Sequence, residues 1–156
     1  MKNDITTRKD IEALITCFYE LSFQDERLGK IFKEISPLHL ETHIPLVADF
    51  WEGILLDGDK YRGNVTEKHF TVNSLTTLTK SDFDNWYSHW ENSVNHMFEG
   101  EKAETCKFRA RSIADIMSYK MDYINKEKEN KVNAYNSFSS YRKFICVNFV
   151  FSKEAT

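Results

Sequence analysis

The chain has 156 residues, a length that suits one domain with a hydrophobic core of its own. Its formal net charge is −3 and its pI is near 6.0, which argues against nucleic acid as the main partner. No apolar run approaches the roughly 18 residues of a membrane span, and no basic N-terminal leader is visible. We therefore expect a soluble cytoplasmic protein with no membrane partner.

Aromatic residues are abundant for so small a chain, with twelve Phe, seven Tyr and three Trp. Each aromatic side chain buries a large area, so these residues either complete a compact core or line a pocket for a planar ligand. The three cysteines are scattered and form no C-x-x-C pair. A disulfide framework and a cysteine-based zinc site are therefore not expected.

Two helices are predicted at the start of the chain. In the first, apolar residues recur at helical spacing from Ile11 to Tyr19, behind possible caps at Thr7 and Asp10. A short second helix is predicted after Asp25, and Pro37 ends it or opens the next.

The third helix is central, and its apolar positions follow a period of 3.6 residues. Because Pro45 is tolerated only near a helix start, this pattern predicts that the regular helix begins near His43. From Asp57 to about Lys80 there is little sustained periodicity, and His69 is expected in no more than one helical turn. A loop of this length in a small domain is usually functional or encloses a ligand.

A fourth helix is predicted from Thr79 or Ser81 to Gly100, with Asp82 favouring its start. A fifth is predicted to run from about Ala103 to Ile124. We therefore predict an all-α domain over residues 1–124. Residues 125–156 form a separate tail that is mobile, peripheral or a frayed extension of the helix, and its apolar run 142–151 either forms a short strand or packs on the body.

Five histidines are present, and two of them have the spacing of a zinc site. His39 and His43 are four residues apart, which places both on one face of a helix. No H-E-x-x-H motif occurs, however, and Pro45 makes a helix at His39 uncertain. Zinc binding is therefore not our preferred interpretation.

An ordered set of short motifs resembles the truncated haemoglobins, and it is most similar to their group III branch. The set covers residues 5–120 and comprises Phe18-Tyr19, Leu28-Gly29 with Ile31-Phe32, His43, Phe50-Trp51, Tyr61-x-Gly63-Asn64, Lys68-His69 and Trp86. The resemblance implies a two-over-two helical sandwich around haem b (iron protoporphyrin IX), with a mostly irregular segment before the iron ligand.

Carried over residue by residue, His69 resembles the iron ligand of this family, and its second ring nitrogen is expected to donate to a nearby carbonyl. Lys68 is a candidate partner for a haem propionate, or else an ordinary solvated lysine. Phe32, Val47, Phe50 and Tyr61 are the residues we expect to contact the haem faces and exclude water.

Three polar side chains resemble the residues that contact a ligand on the other side of the iron. Tyr19, His43 and Trp86 carry O–H or N–H donors on otherwise apolar helix faces, where a diatomic ligand with partial negative charge accepts hydrogen bonds. In the simpler interpretation Tyr19 and Trp86 are core residues and His43 is exposed at a helix start.

The resemblance implies that a pentacoordinate iron binds dioxygen, nitric oxide or another diatomic ligand. Hydrogen-bond donors slow ligand release, which fits nitric oxide dioxygenation or peroxide and oxygen activation better than transport. No catalytic residue is assigned, and turnover would need an external reductase. The alternative is a haem-free all-α interaction domain with an aromatic core.

Overall fold

A computed structural model describes the backbone of residues 2–151 and the side chains of residues 2–134. Every regular element in this part of the chain is helical, which confirms the all-α prediction. The helices are α1 (Arg8–Ser22), α2 (Glu26–Lys30), α3 (Leu40–Leu55), α4 (Val65–Leu75), α5 (Lys80–Met97) and α6 (Glu101–Phe151), and a π-helical turn at Ile31–Ile35 follows α2 directly.

Helix α1 packs against α3 and α5 and supplies one wall of the main core. A capping box fixes its start, because the Thr7 hydroxyl accepts from the Asp10 backbone while the Asp10 carboxylate accepts from the Thr7 backbone. At the same end, Arg8 donates to Asp49 and Glu52 of α3, each at 2.6 Å. These contacts hold α1 and α3 together, so their inner faces share one core.

The core has two connected parts. The larger lies among α1, α3, α5 and the first turns of α6, and its centre is the parallel stack of Trp51 on Trp90 at 4.7 Å between ring centroids. The smaller lies among α2, α5 and α6 around Phe83 and Met117. Trp86 and Phe32 pack against both parts, so this boundary is where side chains from several helices meet.

The third helix begins earlier than predicted, at Leu40 rather than near His43. The backbone N–H groups of Thr42 and His43 both donate to the His39 carbonyl, at 3.1 and 2.9 Å. Pro45 removes only one donor from the helix, and the turn before it is already closed by these bonds. The helix therefore extends back through His43 instead of starting there.

Nearly half of the segment predicted to be irregular is a helix, so that prediction is wrong for residues 65–75. Asn64 caps α4 by accepting from the Glu67 backbone at 3.1 Å. The apolar residues of α4 do not repeat on one face of the helix, and Phe70 and Leu75 are exposed. The periodicity that reveals other helices was therefore absent. The irregular residues of this segment are those between α3 and α4 and the four residues between α4 and α5.

Helix α6 continues to Phe151, well past the predicted end near Ile124. The prediction of a short strand over residues 142–151 is therefore wrong. The alternative prediction, that this apolar run packs on the body, concerns side chains that lie outside the described residues. The chain divides into two units, Met1–Met121 and Asp122–Thr156, and the predicted boundary at 124/125 stays a prediction. In the part of the chain that the structure describes, no helix has both the length and the apolar character needed to cross a membrane.

Substitution of Asp82 tests how the N-terminus of α5 is stabilised. Its buried carboxylate accepts from the backbone and hydroxyl of Thr79 and from Arg27 at 2.9 Å. Asp82→Ala leaves these donors without their partner, so we expect the free energy of unfolding in urea to fall by about 2–4 kcal/mol.

The matched control is Asp115→Ala on α6. Asp115 is 56% exposed and pairs with Arg111, so its loss should cost no more than about 1 kcal/mol. Equal losses in the two variants would contradict a special role for the α5 cap.

Candidate functional site

His69 lies in the second turn of α4 with one ring nitrogen already engaged. Nδ1 is 2.8 Å from the carbonyl oxygen of Val65, one turn earlier in the helix. Because a carbonyl only accepts, Nδ1 carries the hydrogen and Nε2 of the neutral ring keeps its lone pair. Among the described residues, no hydrogen-bond partner meets Nε2.

The surroundings of His69 favour its neutral form. Burial lowers the pKa of the His69 imidazole, and the bond to the Val65 carbonyl only partly opposes this effect. The ring also lies against Phe83, with 5.9 Å between centroids and an interplanar angle of 29°. His69 is therefore held as an oriented neutral imidazole, the form that binds a metal ion.

Tyr19 of α1 and His43 of α3 form a hydrogen-bonded pair. The Tyr19 hydroxyl lies 2.7 Å from Nε2 of His43, and the Tyr19 side chain is only 6% exposed. Burial raises the pKa of Tyr19 and lowers the pKa of His43. Both side chains are therefore neutral. Tyr19 donates in this bond when the hydrogen of His43 is on Nδ1, and it accepts when that hydrogen is on Nε2.

Trp86 reaches the same region through aromatic contacts. Its ring lies 5.6 Å from Phe18, which in turn lies 4.9 Å from Tyr19, and it stacks on Trp90 at 5.8 Å. Within the described side chains, the indole N–H of Trp86 has no hydrogen-bond partner. Tyr19 and His43 are thus joined directly, whereas Trp86 is linked to Tyr19 through Phe18 and has a donor still available.

The four residues predicted to contact a planar ligand divide into two groups. Phe32 packs edge-on against Tyr19 at 5.7 Å, whereas Phe50 packs edge-on against Tyr61 at 5.2 Å. Val47 is half-buried at the edge of the larger core. All four side chains are partly exposed, and their contact with a planar ligand stays a prediction.

Lys68, the candidate partner for an acidic group, is exposed beside His69. Its ammonium therefore stays in water in this structure.

An open cleft of about 440 Å³ lies between α3 and α6, and Phe50 is the one predicted site residue that lines it. Phe50, Gly53 and Ile54 line it from α3, and Arg109, Ser112, Ile113 and Ile116 line it from α6. Sequence reasoning missed the α6 side. Residues such as Arg109 and Ile116 lie off the buried stripe of α6, and nothing in their spacing distinguishes them from an ordinary solvated face.

The lowered pKa of His43 predicts how stability depends on pH. The ordinary value, 6.5, applies in the unfolded chain, so below it the unfolded state binds a proton more readily than the folded state. The stability that neutral His43 contributes is present above that pH and is lost as the pH falls below it. We expect His43→Phe to reduce this loss in urea unfolding measured on either side of pH 6.5. Parallel pH profiles for both proteins would contradict the assignment.

Comparison with known proteins gives one relative and one solved structure. No family model matches the sequence. A curated group 3 truncated hemoglobin from Campylobacter jejuni is 29% identical over 117 residues, which cover 73% of this chain and 90% of the relative. A crystal structure of a group III truncated hemoglobin from Campylobacter jejuni superposes with a TM-score of 0.67 at 27% identity, and the match covers 78% of this chain and 95% of that chain.

The two comparisons agree with the family that the ordered motifs resemble and with the all-helical fold. They span nearly the whole length of the relative and of the solved structure. The chain has the fold of a truncated globin, and it is most similar to the group III truncated haemoglobins.

Proposed function

We propose that this chain binds haem b through Nε2 of His69 and holds dioxygen, nitric oxide or another diatomic ligand beside Tyr19 and His43. The observation that carries the proposal is the geometry of His69. Its Nδ1 hydrogen is bound by the Val65 carbonyl, its pKa is lowered by burial, and its second nitrogen remains free to coordinate. When bound, haem would supply an iron with one position open to a diatomic ligand.

The apolar side chains around these residues fit a planar macrocycle. Phe32, Val47, Phe50 and Tyr61 are half-buried and project partly free aromatic or aliphatic surface. Covering that surface with a haem face would remove it from water and strengthen binding. Lys68 is exposed and carries no ion pair among the described residues, so its ammonium is available to a haem propionate.

The hydrogen bond between Tyr19 and His43 determines when the Tyr19 hydroxyl can donate to a ligand. A tyrosine hydroxyl has one proton to donate. In the tautomer of His43 with its hydrogen on Nδ1, on which this proposal rests, Tyr19 donates that proton to Nε2 of His43. A ligand receives that proton only when the bond to His43 lengthens or breaks. His43 therefore competes with the ligand for Tyr19, whereas the N–H of Trp86 is available without such competition.

Donors grouped in this way suit chemistry on a retained ligand better than reversible transport. A hydrogen bond to a partly charged acceptor contributes about 1.5–3 kcal/mol, which lengthens the time the ligand stays bound. The reactions that this arrangement favours are nitric oxide dioxygenation and the activation of peroxide or dioxygen. Either one consumes electrons, so the protein would act with an external reductase.

The role of His69 is tested by His69→Ala. We expect the purified variant to lack stable haem and its Soret absorption, because no other described side chain presents a free neutral imidazole at this position. Added imidazole should restore the band by filling the vacated space. The control is His96→Ala on the exposed end of α5, which should keep normal haem content. An unchanged spectrum in His69→Ala would show that another residue binds the iron.

The roles of the donors are tested by stopped-flow measurement of dioxygen release from the ferrous protein. Trp86→Phe and Tyr19→Phe remove one donor each and keep an aromatic ring, so release should accelerate by about one to two orders of magnitude. The effects should not add, since the remaining donor can take the vacated position.

His43→Leu should have the opposite effect or none, because it frees the Tyr19 proton for the ligand. Tyr87→Phe, outside the site, is the control. Faster release in His43→Leu would contradict competition for Tyr19, and unchanged rates in both Tyr19→Phe and Trp86→Phe would rule out donation to the ligand.

A further inference from the structure

We propose that Tyr19 and His43 act together as a proton-coupled electron donor for the reduction of hydrogen peroxide. In this step Tyr19 gives up one electron, and its hydroxyl proton moves to Nε2 of His43. The inference rests on the proposed function, because the site that reduces the peroxide is the haem pocket assigned above.

The geometry of the pair is that of a proton transfer ready to occur. The two heavy atoms are 2.7 Å apart, so the proton crosses a short distance and neither ring has to move. An oxidised phenol is a far stronger acid than a phenol, and a neutral imidazole at this distance accepts its proton at once. Because Tyr19 is 6% exposed, the resulting radical would be shielded from solvent.

Other oxidisable side chains near the core lack this combination. Tyr87 also donates to a base, Glu91 at 2.9 Å, but the guanidinium of Arg111 lies 5.1 Å from the centre of the Tyr87 ring. A positive charge over the ring opposes the loss of an electron. The buried indole N–H of Trp90 faces the Cys106 thiol and no carboxylate or imidazole among the described residues. Because a thiol is a weak acceptor, an oxidised Trp90 has no comparable base to take its proton.

The electrons and protons balance for one molecule of peroxide. Reduction of hydrogen peroxide to two water molecules takes two electrons and two protons. Tyr19 supplies one electron and becomes a phenoxyl radical, while its proton stays on His43. The external reductase supplies the other electron, and solvent supplies the two protons. A further electron from the reductase restores Tyr19 as the proton returns from His43.

An external reductase that delivers one electron at a time cannot by itself complete the two-electron reduction of peroxide in a single step. The Tyr19–His43 pair would supply the second electron. It would also hold the oxidising equivalent at a defined place in the protein. Hydrogen bonding from protonated His43 to the phenoxyl oxygen would keep the radical from attacking neighbouring side chains.

The test is freeze-quench electron paramagnetic resonance of the haem-loaded protein after mixing with hydrogen peroxide. We expect a tyrosyl radical signal that is lost in Tyr19→Phe and retained in the control Tyr87→Phe, which removes a tyrosine that also donates to a base. In His43→Phe the proton acceptor is gone, so the signal should weaken. At high field, any signal that remains should show the larger gx of a radical without a hydrogen bond.

Three results would overturn the inference alone: a signal that persists in Tyr19→Phe, a tryptophanyl signal instead, or an unchanged gx in His43→Phe. Each of these would be obtained on protein with a normal Soret band, so the proposed haem site would stand. Protein that takes up no haem would overturn the proposed function and this inference together. The absorption spectrum recorded before mixing separates the two cases.

Discussion

The hydrogen bond from His69 to the carbonyl of Val65 is the constraint on which the candidate site depends. It fixes the tautomer, the ring orientation and the nitrogen that is left to coordinate. The bond exists only because α4 is a helix, in which the residue four positions earlier presents its carbonyl to the His69 ring. The cap at Asn64 that starts α4 therefore contributes to the chemistry of a histidine more than one turn away.

A second hydrogen bond sets the character of the other side of the site. Tyr19 comes from α1 and His43 from α3, so the bond between them depends on the packing of those two helices. Arg8 helps to hold the same two helices together through Asp49 and Glu52. The single hydroxyl proton of Tyr19 then has two possible recipients, His43 and a bound ligand. It is shared with His43 in the resting hydrogen bond and passes to His43 completely when Tyr19 loses an electron.

Features set by neighbouring residues were predicted well from the sequence. The start of α5 was expected at Thr79 because a cap and an acidic first turn are local signals, and the structure has the full capping box there. Helix α4 was missed because its apolar residues do not share one face, so the only sign was the Asn64–Glu67 spacing of a cap. The end of α6 was missed because polar sequence after Ile124 was interpreted as the end of a helix, whereas polar residues continue an exposed helix equally well.

In the candidate site, too, the types of residue were predicted from the sequence, whereas contacts between distant helices were not. The ordered motifs indicated the types of residue and the family they resemble, and the structure joins Tyr19 with His43 and gives His69 a carbonyl partner. The pairing of Tyr19 with His43 could not be predicted, because it depends on a contact between helices that are separate in sequence. The α6 side of the cleft was also hidden, since Arg109 and Ile116 look like surface residues until α3 is placed beside them.

Titration of the haem-free protein with haemin is the simplest measurement of haem binding. We expect a Soret band that grows until one equivalent has been added and a melting temperature that rises with haemin, since a ligand that binds only the folded state stabilises it. A colourless protein whose melting temperature does not change with haemin would show that the chain binds no haem. It would leave a globin-like helical fold that acts as a haem-free interaction domain.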